Sequence, residues 1–245
     1  MSRIFITGSA DGLGLLSAKS LMDEGHEVVL HARNENRRLE TLENFPKSRI
    51  VLTGDLSKIE ETKQLADEVN ALGRFDAIIH NAGVYQAPGK LIFAVNTLAP
   101  YILTSLIHKP KRLVYLSSNM HLQGNLKLEH FGKESDKVTY SDSKLHVLML
   151  AKAVARHWDK VLSNAVDPGW VPTKMGGKGA PDDLEKGYQT QVWLAVSNEE
   201  DAKVSGSYFH HQKEGHYNPT ADDIELQDQF LSVCVEITGI EFPKV

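Results

Sequence analysis

One cysteine in 245 residues, Cys234, leaves no means of forming an intramolecular disulfide or a thiolate metal cage, which fits a reducing compartment. Cys234 itself reads as a small buried hydrophobe. Basic runs are also missing: 27 Lys and Arg face 32 Asp and Glu, for a formal net charge of -5. Nucleic acid and anionic membranes are therefore not expected partners, and a small-molecule ligand is the default. No apolar run of about 18 residues stands out, and Met1 leads straight into a strand-like segment without a charged-then-apolar leader. A soluble, cytoplasmic protein is the expectation. Internal repeats, low-complexity tracts and convincing linkers are absent too.

What is present alternates. Strand-like runs recur at RIFI, HEVVLHA, RIVLTG, DAIIH, RLVYLSS, SNAV and SGSYFH. Between them lie LGLLSAKSLMDEG, IEETKQLADEVNALG, LIFAVNTLAPYILTSLIH, YSDSKLHVLMLAKAVARHW and GYQTQVWLAVSN, with helical spacing, and QDQFLSVCVEITGI follows in the same style. This order predicts one α/β domain over 1–245, a doubly wound Rossmann-type sheet of about seven mostly parallel strands with helices on both faces. Seven strands also weigh against a closed barrel, which needs eight. The stretch GGKGAPDDLEKG, within a substrate loop of about 170–187, is the richest in glycine and charge and predicts a mobile loop.

TGSADGLG at 7–14 sets Gly8, Gly12 and Gly14 between the first strand and the first helix. Amides at a helix N-terminus favour an anion, and missing side chains let a pyrophosphate approach the backbone. A tight structural turn is the competing reading. The end of the second strand refines the choice: VVLHARN carries Ala32 where NAD-binding sheets place an acidic residue, and Arg33 follows. A guanidinium grips a phosphate that a carboxylate would repel, so NADP(H) is preferred, with NAD(H) possible. Arg33 as a solvated loop charge and His31 as a packed strand residue are the alternatives.

Tyr140 and Lys144 stand four apart at the start of a long helix and share one face. A free tyrosine, with a pKa of about 10, exchanges its proton poorly near neutrality, and an adjacent ammonium would lower it. An exposed helix face is the plainer reading of the pair alone.

Together, TGSADGLG, NAG at 81–83, Asn96 in FAVNTLAP, SS at 117–118, YSDSK at 140–144 and DPGWVPT at 167–173 resemble, in order and over nearly the whole chain, the short-chain dehydrogenase/reductase family. The wording LSSNMH and YSDSKLHV, with 22 positions from Ser118 to Tyr140, is similar to its retinol-dehydrogenase-like group and bacterial relatives. The resemblance implies that Tyr140 exchanges a proton with the substrate oxygen, Ser118 hydrogen-bonds that oxygen, and Ser117 packs behind. Lys144 would tune the tyrosine and hold the nicotinamide ribose, and Asn96 would anchor a relay water. The resemblance also carries cofactor binding to Gly8, Ser9, Asp11, Gly12, Leu13 and Gly14 in the turn and to Arg33, Asp55 and Leu56 beside the adenosine. It extends to Asn81, Ala82 and Gly83 under the cofactor, and to Pro168, Gly169, Val171 and Thr173 along the nicotinamide, with Tyr140 and Lys144. Asn81 as a simple tie between strands is the other reading.

Two departures stand out. Only 15 positions separate Asn81 from Asn96, which suggests a trimmed fourth helix and makes a homodimer less certain than the family implies. Asp11 occupies the turn where many NADP-preferring members carry a basic residue, leaving Arg33 to bear the phosphate preference. HHQKEGH offers His210, His211 and His216, but adjacent strand residues point to opposite faces and no carboxylate partners accompany them, so no metal site is expected. His121 either shapes a substrate pocket or serves as a polar loop residue; Trp170 reads as pocket wall and Trp193 as core.

The resulting expectation is an NADP(H)-dependent oxidoreductase acting on a carbonyl or secondary alcohol, in the reducing direction. An epimerase or dehydratase using the same tyrosine, or a non-catalytic NADP-sensing regulator, are the competing functions. Loops near 85–89, 121–125 and 170–187 would build the substrate pocket, and the wide Ser-to-Tyr spacing with Trp170 hints at a bulky, partly apolar substrate.

Overall fold

RIFI, HA-terminated EVVL, AIIH and RLVYL are short apolar runs buried on both faces, as parallel strands covered by helices must be. LSNAVD is buried with polar residues among its apolar ones, and IVLT, at the sheet edge, buries only Val51. The computed structural model describes residues 1–244. In chain order the first half comprises β1 (Arg3–Ile6), α1 (Gly12–Asp23), β2 (Glu27–Ala32), α2 (Glu35–Asn44), β3 (Ile50–Thr53), α3 (Ile59–Ala71) and β4 (Ala77–His80). It continues with α4 (Gly89–Ile92), a π-helical turn (Phe93–Leu98), α5 (Ala99–Leu106), β5 (Arg112–Leu116) and α6 (Tyr140–His157). The remainder is β6 (Leu162–Asp167), α7 (Leu184–Val196), β7 (Tyr208–His210), β8 (Lys213–Glu214) and α8 (Ile224–Thr238).

These strands form one sheet in the order β3-β2-β1-β4-β5-β6-β7-β8, parallel throughout except for β7 with β8. The order reverses between β1 and β4, and a doubly wound sheet opens its ligand crevice at such a switch point. One core packs α3, α5, α6 and α8 against the sheet through Phe5, Leu65, Ile78, Tyr101, Leu148 and Phe230. A second, on the opposite face, uses Ile4, Leu21, Leu30, Ile79, Val114 and Leu194.

The expected strand count is exceeded by one. β8 is only two residues long and follows a two-residue turn in which His211 and Gln212 have φ of 50° and 61°. Both central residues at positive φ is the geometry of a hairpin turn, here built without the asparagine or glycine that usually signals it. Helix α2 was not expected either: only Thr41 is buried in it, so it carries almost no apolar stripe. Asn34 caps it by accepting from the Arg37 amide.

The segment Gly89–Leu106 is one helical stretch with a mean hydropathy of 1.2, apolar enough by length and composition to cross a membrane, against the expectation of no such run. It is 67% buried, as a core helix of this sheet. Pro88 precedes it, so the helix starts late after β4. The long Ser-to-Tyr interval folds as short 3-10 turns over 119–137, and its backbone at Asp136 lies so close to Gly89 that a Cβ there would strike the Asp136 carbonyl.

Candidate active site

At the sheet's switch point, the turn after β1 meets the segment after β4. Gly8 sits at φ 62°, and a Cβ on it would stand 2.9 Å from the Ala82 Cα. A Cβ on Gly14 would strike the Asn81 amide and come within 2.8 Å of the Gly8 carbonyl. Both glycines are therefore required by close backbone approach. Asn81 donates from Nδ2 to the Thr7 and Gly8 carbonyls at 2.9 and 3.1 Å, and the Ala82 amide donates to the Thr7 hydroxyl at 3.0 Å. Asn81 ties strands together and also faces the cleft.

His31 holds the other side of this turn. It is 2% exposed, accepts from the Gly8 amide at Nδ1 at 2.9 Å, and donates from Nε2 to the Gly54 carbonyl at 2.9 Å. Burial pushes its pKa down to about 4, so the ring stays neutral with its proton on Nε2. The Ser9 hydroxyl accepts from the His31 amide and donates to the Ile6 carbonyl. Ser9 is fully buried and serves the turn from inside.

The cleft has a volume of about 490 Å³. Of the residues singled out in the sequence, Gly8, Asp11, Gly12, Leu13, Arg33, Asp55, Leu56, Asn81, Ala82, Gly83, Tyr140, Lys144, Pro168 and Thr173 line it. Ser9, Gly14, Asn96, Ser118, Gly169 and Val171 stand behind or beside its wall. Trp170 is 60% exposed, with its indole donating to the Gly176 carbonyl, and is not on this wall either.

Several wall residues were not anticipated as site residues, among them Arg37, Lys174 and Met175, and Ser117, expected to pack behind the site, is on the wall where Ser118 is not. Arg37 lies one turn into α2, the helix that the apolar pattern did not reveal. Asp11 caps α1 and pairs with Arg37 at 3.3 Å and with Lys174 of the 170–187 loop. Burial opposes ionisation of Asp11, but the Lys174 and Gly12 hydrogen bonds and the two cations hold its carboxyl below the usual range. The acid in the turn is thus covered by two bases, and Arg33 adds a third cation to the same end of the cleft.

At the other end, Thr139 and Asp142 form a reciprocal capping box that starts α6 and puts Tyr140 at its first position. The Ser118 side chain, whose hydroxyl accepts from the Met120 amide, stands beside the Tyr140 phenol. Ser117 is buried and donates to the Lys144 carbonyl at 2.8 Å. Lys144 is 5% exposed, lies 5.3 Å from the centre of the Tyr140 ring, and donates to the Leu116 carbonyl at 2.7 Å. Asn96, within the π-helical turn, is engaged by the Val84 amide and carbonyl and by the Ser143 hydroxyl. A Cβ on Gly83 would stand 3.5 Å from both the Asn96 Oδ1 and the Lys144 Nζ, so these polar atoms flank one backbone position.

The proton affinities depart from the sequence expectation. Burial, then the charge of Asp167, raises the Tyr140 phenol above its ordinary value, and the neighbouring Ser118 side chain offsets only part of this. Burial pushes Lys144 down to about 8, against the opposing charge of Asp167. Tyr140 is therefore a phenol that holds its proton, because desolvation outweighs the expected help from Lys144.

His121 does not line the cleft; it is the polar loop residue of the two readings offered for it. It is fully buried, linking the Ser118 carbonyl at 2.6 Å to the Asn218 amide at 3.1 Å. His210 and His211 stack at 3.8 Å, where strand alternation predicts opposite faces; the chain has already turned at His211. Among the described residues, no group of three His, Cys, Asp or Glu could hold a metal ion. Trp193 is partly buried, edge-on to Phe209, with its indole donating to Glu199.

A doubly wound sheet with a glycine-lined crevice at its switch point and a serine, tyrosine and lysine at one end of it defines a dinucleotide-binding oxidoreductase architecture. The family model for short chain dehydrogenase matches residues 2–109. An uncharacterized oxidoreductase of Emericella nidulans is 43% identical over 99% of both chains. The short-chain dehydrogenase chyC of Penicillium rubens is 42% identical over 99% of this chain and 100% of its own. Human retinol dehydrogenase 13 is 26% identical over 99% of this chain and 86% of its own. Among solved structures, an uncharacterized protein from Mycobacterium paratuberculosis superimposes with a TM-score of 0.81 at 22% identity, covering 99% of this chain and 95% of that one. A short chain dehydrogenase from Shigella flexneri complexed with NADP gives 0.67 at 22% identity, covering 86% and 97%. The chain belongs to the short-chain dehydrogenase/reductase family and is an oxidoreductase of that family.

Proposed function

We propose that this enzyme is an NADP(H)-dependent reductase of ketones or aldehydes, with Tyr140 as the proton donor. The observation that carries the reading is the two-ended cleft: Arg33 and Arg37 at one end, and Tyr140 and Lys144, with Ser118 beside them, at the other. The cradle fits a dinucleotide at Gly12, which lines the cleft with nothing within 4 Å of an added Cβ, while Gly8 and Gly14 let the turn pack closely against Ala82 and Asn81. Gly8, Gly12 and Asn81 would hold the pyrophosphate side, Arg33 and Arg37 a 2′-phosphate, Asp55 and Leu56 the adenine, and Pro168 and Thr173 the nicotinamide. When bound, the nicotinamide supplies or accepts a hydride at the substrate carbon.

The chain's own residues manage the oxygen. Ser118 donates a hydrogen bond to the carbonyl oxygen and orients it toward the phenol. Tyr140, which keeps its proton in this environment, donates it as negative charge develops on that oxygen. Lys144, buried beside the phenol ring, stabilises the phenolate left behind and holds the ribose. NADP complexes of related folds, such as the one from Shigella flexneri, support the cofactor choice. The cytoplasm is the compartment we propose.

The test is loss of NADPH absorbance across a panel of bulky and small ketones and aldehydes. We expect turnover with at least one carbonyl compound, and a fall of about 10²-fold or more in kcat for Tyr140→Phe. Cofactor-dependent isomerisation without net oxidation would favour an epimerase, and undiminished turnover by Tyr140→Phe would remove the tyrosine from its role.

A further inference from the structure

One buried carboxylate at the C-terminal end of the sheet, Asp167, has no part in the chemistry described so far. It ends β6, is 6% exposed, and is paired in register with His210 of β7. Ala165 and Tyr208, two residues back on the same strands, pack into the core beneath α6. Because side chains two apart on a strand share a face, Asp167 and His210 project toward the α6 side, at the edge of the sheet where Tyr140 and Lys144 stand. One carboxylate oxygen of Asp167 accepts from the Gly169 amide at 2.9 Å, and the other lies 3.4 Å from the His210 Nδ1. The Tyr208 hydroxyl faces the same carboxylate without a well-aligned hydrogen bond. The Tyr208 ring packs 4.6 Å from His121, whose Nε2 accepts from Asn218 and whose Nδ1 therefore donates to the Ser118 carbonyl. Lys144 donates to the Leu116 carbonyl, and Leu116 pairs with Val166, the residue before Asp167, so the ammonium stands over the end of the strand that Asp167 terminates, with the half-exposed His210 between Asp167 and solvent.

We propose that Asp167 is a positioning residue of the active site: it keeps the floor beneath α6 negative and so retains the ammonium on Lys144 and the phenolic proton on Tyr140. The role of Asp167 rests on the acid/base reading of those two residues. Its charge acts on both, opposing the burial that would strip Lys144 of its proton. Lys144 has no carboxylate partner of its own, since its Nζ donates to the Leu116 carbonyl. The other titratable groups on this floor are Tyr85 against Tyr140, His121 with His216 near it, and His211, which also faces Asp182 and Lys186. Among the groups acting on Lys144, Asp167 is the charged one.

Nitrogen NMR of lysine-labelled protein reads the proposal without any turnover. The Nζ signal absent from Lys144→Met identifies Lys144, and its titration is followed from pH 6 to 10. Asp167→Asn is expected to move the midpoint downward by about half a unit or more, and Asp167→Glu to restore most of it. An unmoved midpoint in folded Asp167→Asn overturns the proposal; Asp167→Ser supplies the same comparison if the asparagine variant does not fold. In a working assay, the alkaline limb of carbonyl reduction should move down with it. A chain that titrates as expected but turns over no carbonyl would refute the proposed function and leave the role of Asp167 intact.

Discussion

Asp11, the acid that seemed to contradict anion binding in the glycine turn, is the residue that organises the bases around it. Read alone, it repels phosphate; in the fold it pairs with Arg37 and Lys174, and two guanidinium groups reach the end of the cleft where one was expected. Hydrogen bonds to charged groups contribute about 1.5–3 kcal/mol, so Arg37→Ala should weaken NADPH binding by about tenfold or more. NADH, which lacks the 2′-phosphate, should be affected little. Calorimetric titration with both nucleotides decides this, and equal losses would show Arg37 to be a surface charge that merely covers Asp11. Lys174 is 78% exposed at its side chain, and Lys174→Ala should change stability by less than about 1 kcal/mol.

Among the elements, those with an apolar stripe or a continuous apolar run were legible in the sequence, and the glycine turn between β1 and α1 was legible from its spacing. Helix α2 was not, because a helix that buries only Thr41 leaves no periodic signal. That omission hid Arg37 with it. The turn at His211 was equally silent, since its positive φ values fall on residues that rarely mark turns, and the expected divergence of His210 and His211 failed there. Ser118, Tyr140 and Lys144 could be placed by pattern, but not the sign of the tyrosine's shift, which depends on burial and on Asp167 from another strand. His31 shows the same limit: its strand was clear, whereas its bonds to Gly8 and Gly54 join segments far apart in sequence. His31→Ala leaves the Gly8 amide and Gly54 carbonyl without those partners. The expected cost is about 1–3 kcal/mol in chemical denaturation, together with weaker nucleotide binding. An unchanged midpoint would mean that the turn holds its shape without the histidine clasp.

At the scale of the whole molecule, three buried histidines tie stability to pH. Burial holds His31 down to about 4 and His80 and His146 down to about 3, so all three are neutral in the fold. Unfolded, each takes up a proton near pH 6.5. Between those values the unfolded chain binds more protons than the native one, so stability is full above about pH 6.5 and is lost as pH falls toward 4 and below. The loss at pH 5 should be on the order of 1–2 kcal/mol per histidine. Urea denaturation at pH 7.5 and 5 measures it. His146→Asn and His80→Asn variants should flatten the dependence, and an equally steep slope in both would assign the acid sensitivity to other groups.

If the cleft at the switch point takes a dinucleotide bearing a 2′-phosphate, thermal unfolding with NADPH or NADH will show it. A ligand at a hundredfold excess over its Kd adds about 2.7 kcal/mol, which for a chain of this size is a rise of about 5–10 °C in Tm. NADPH should give such a rise and NADH a smaller one, and the difference should narrow in Arg33→Ala. No rise with either nucleotide, or an equal rise that Arg33→Ala leaves untouched, would contradict such binding.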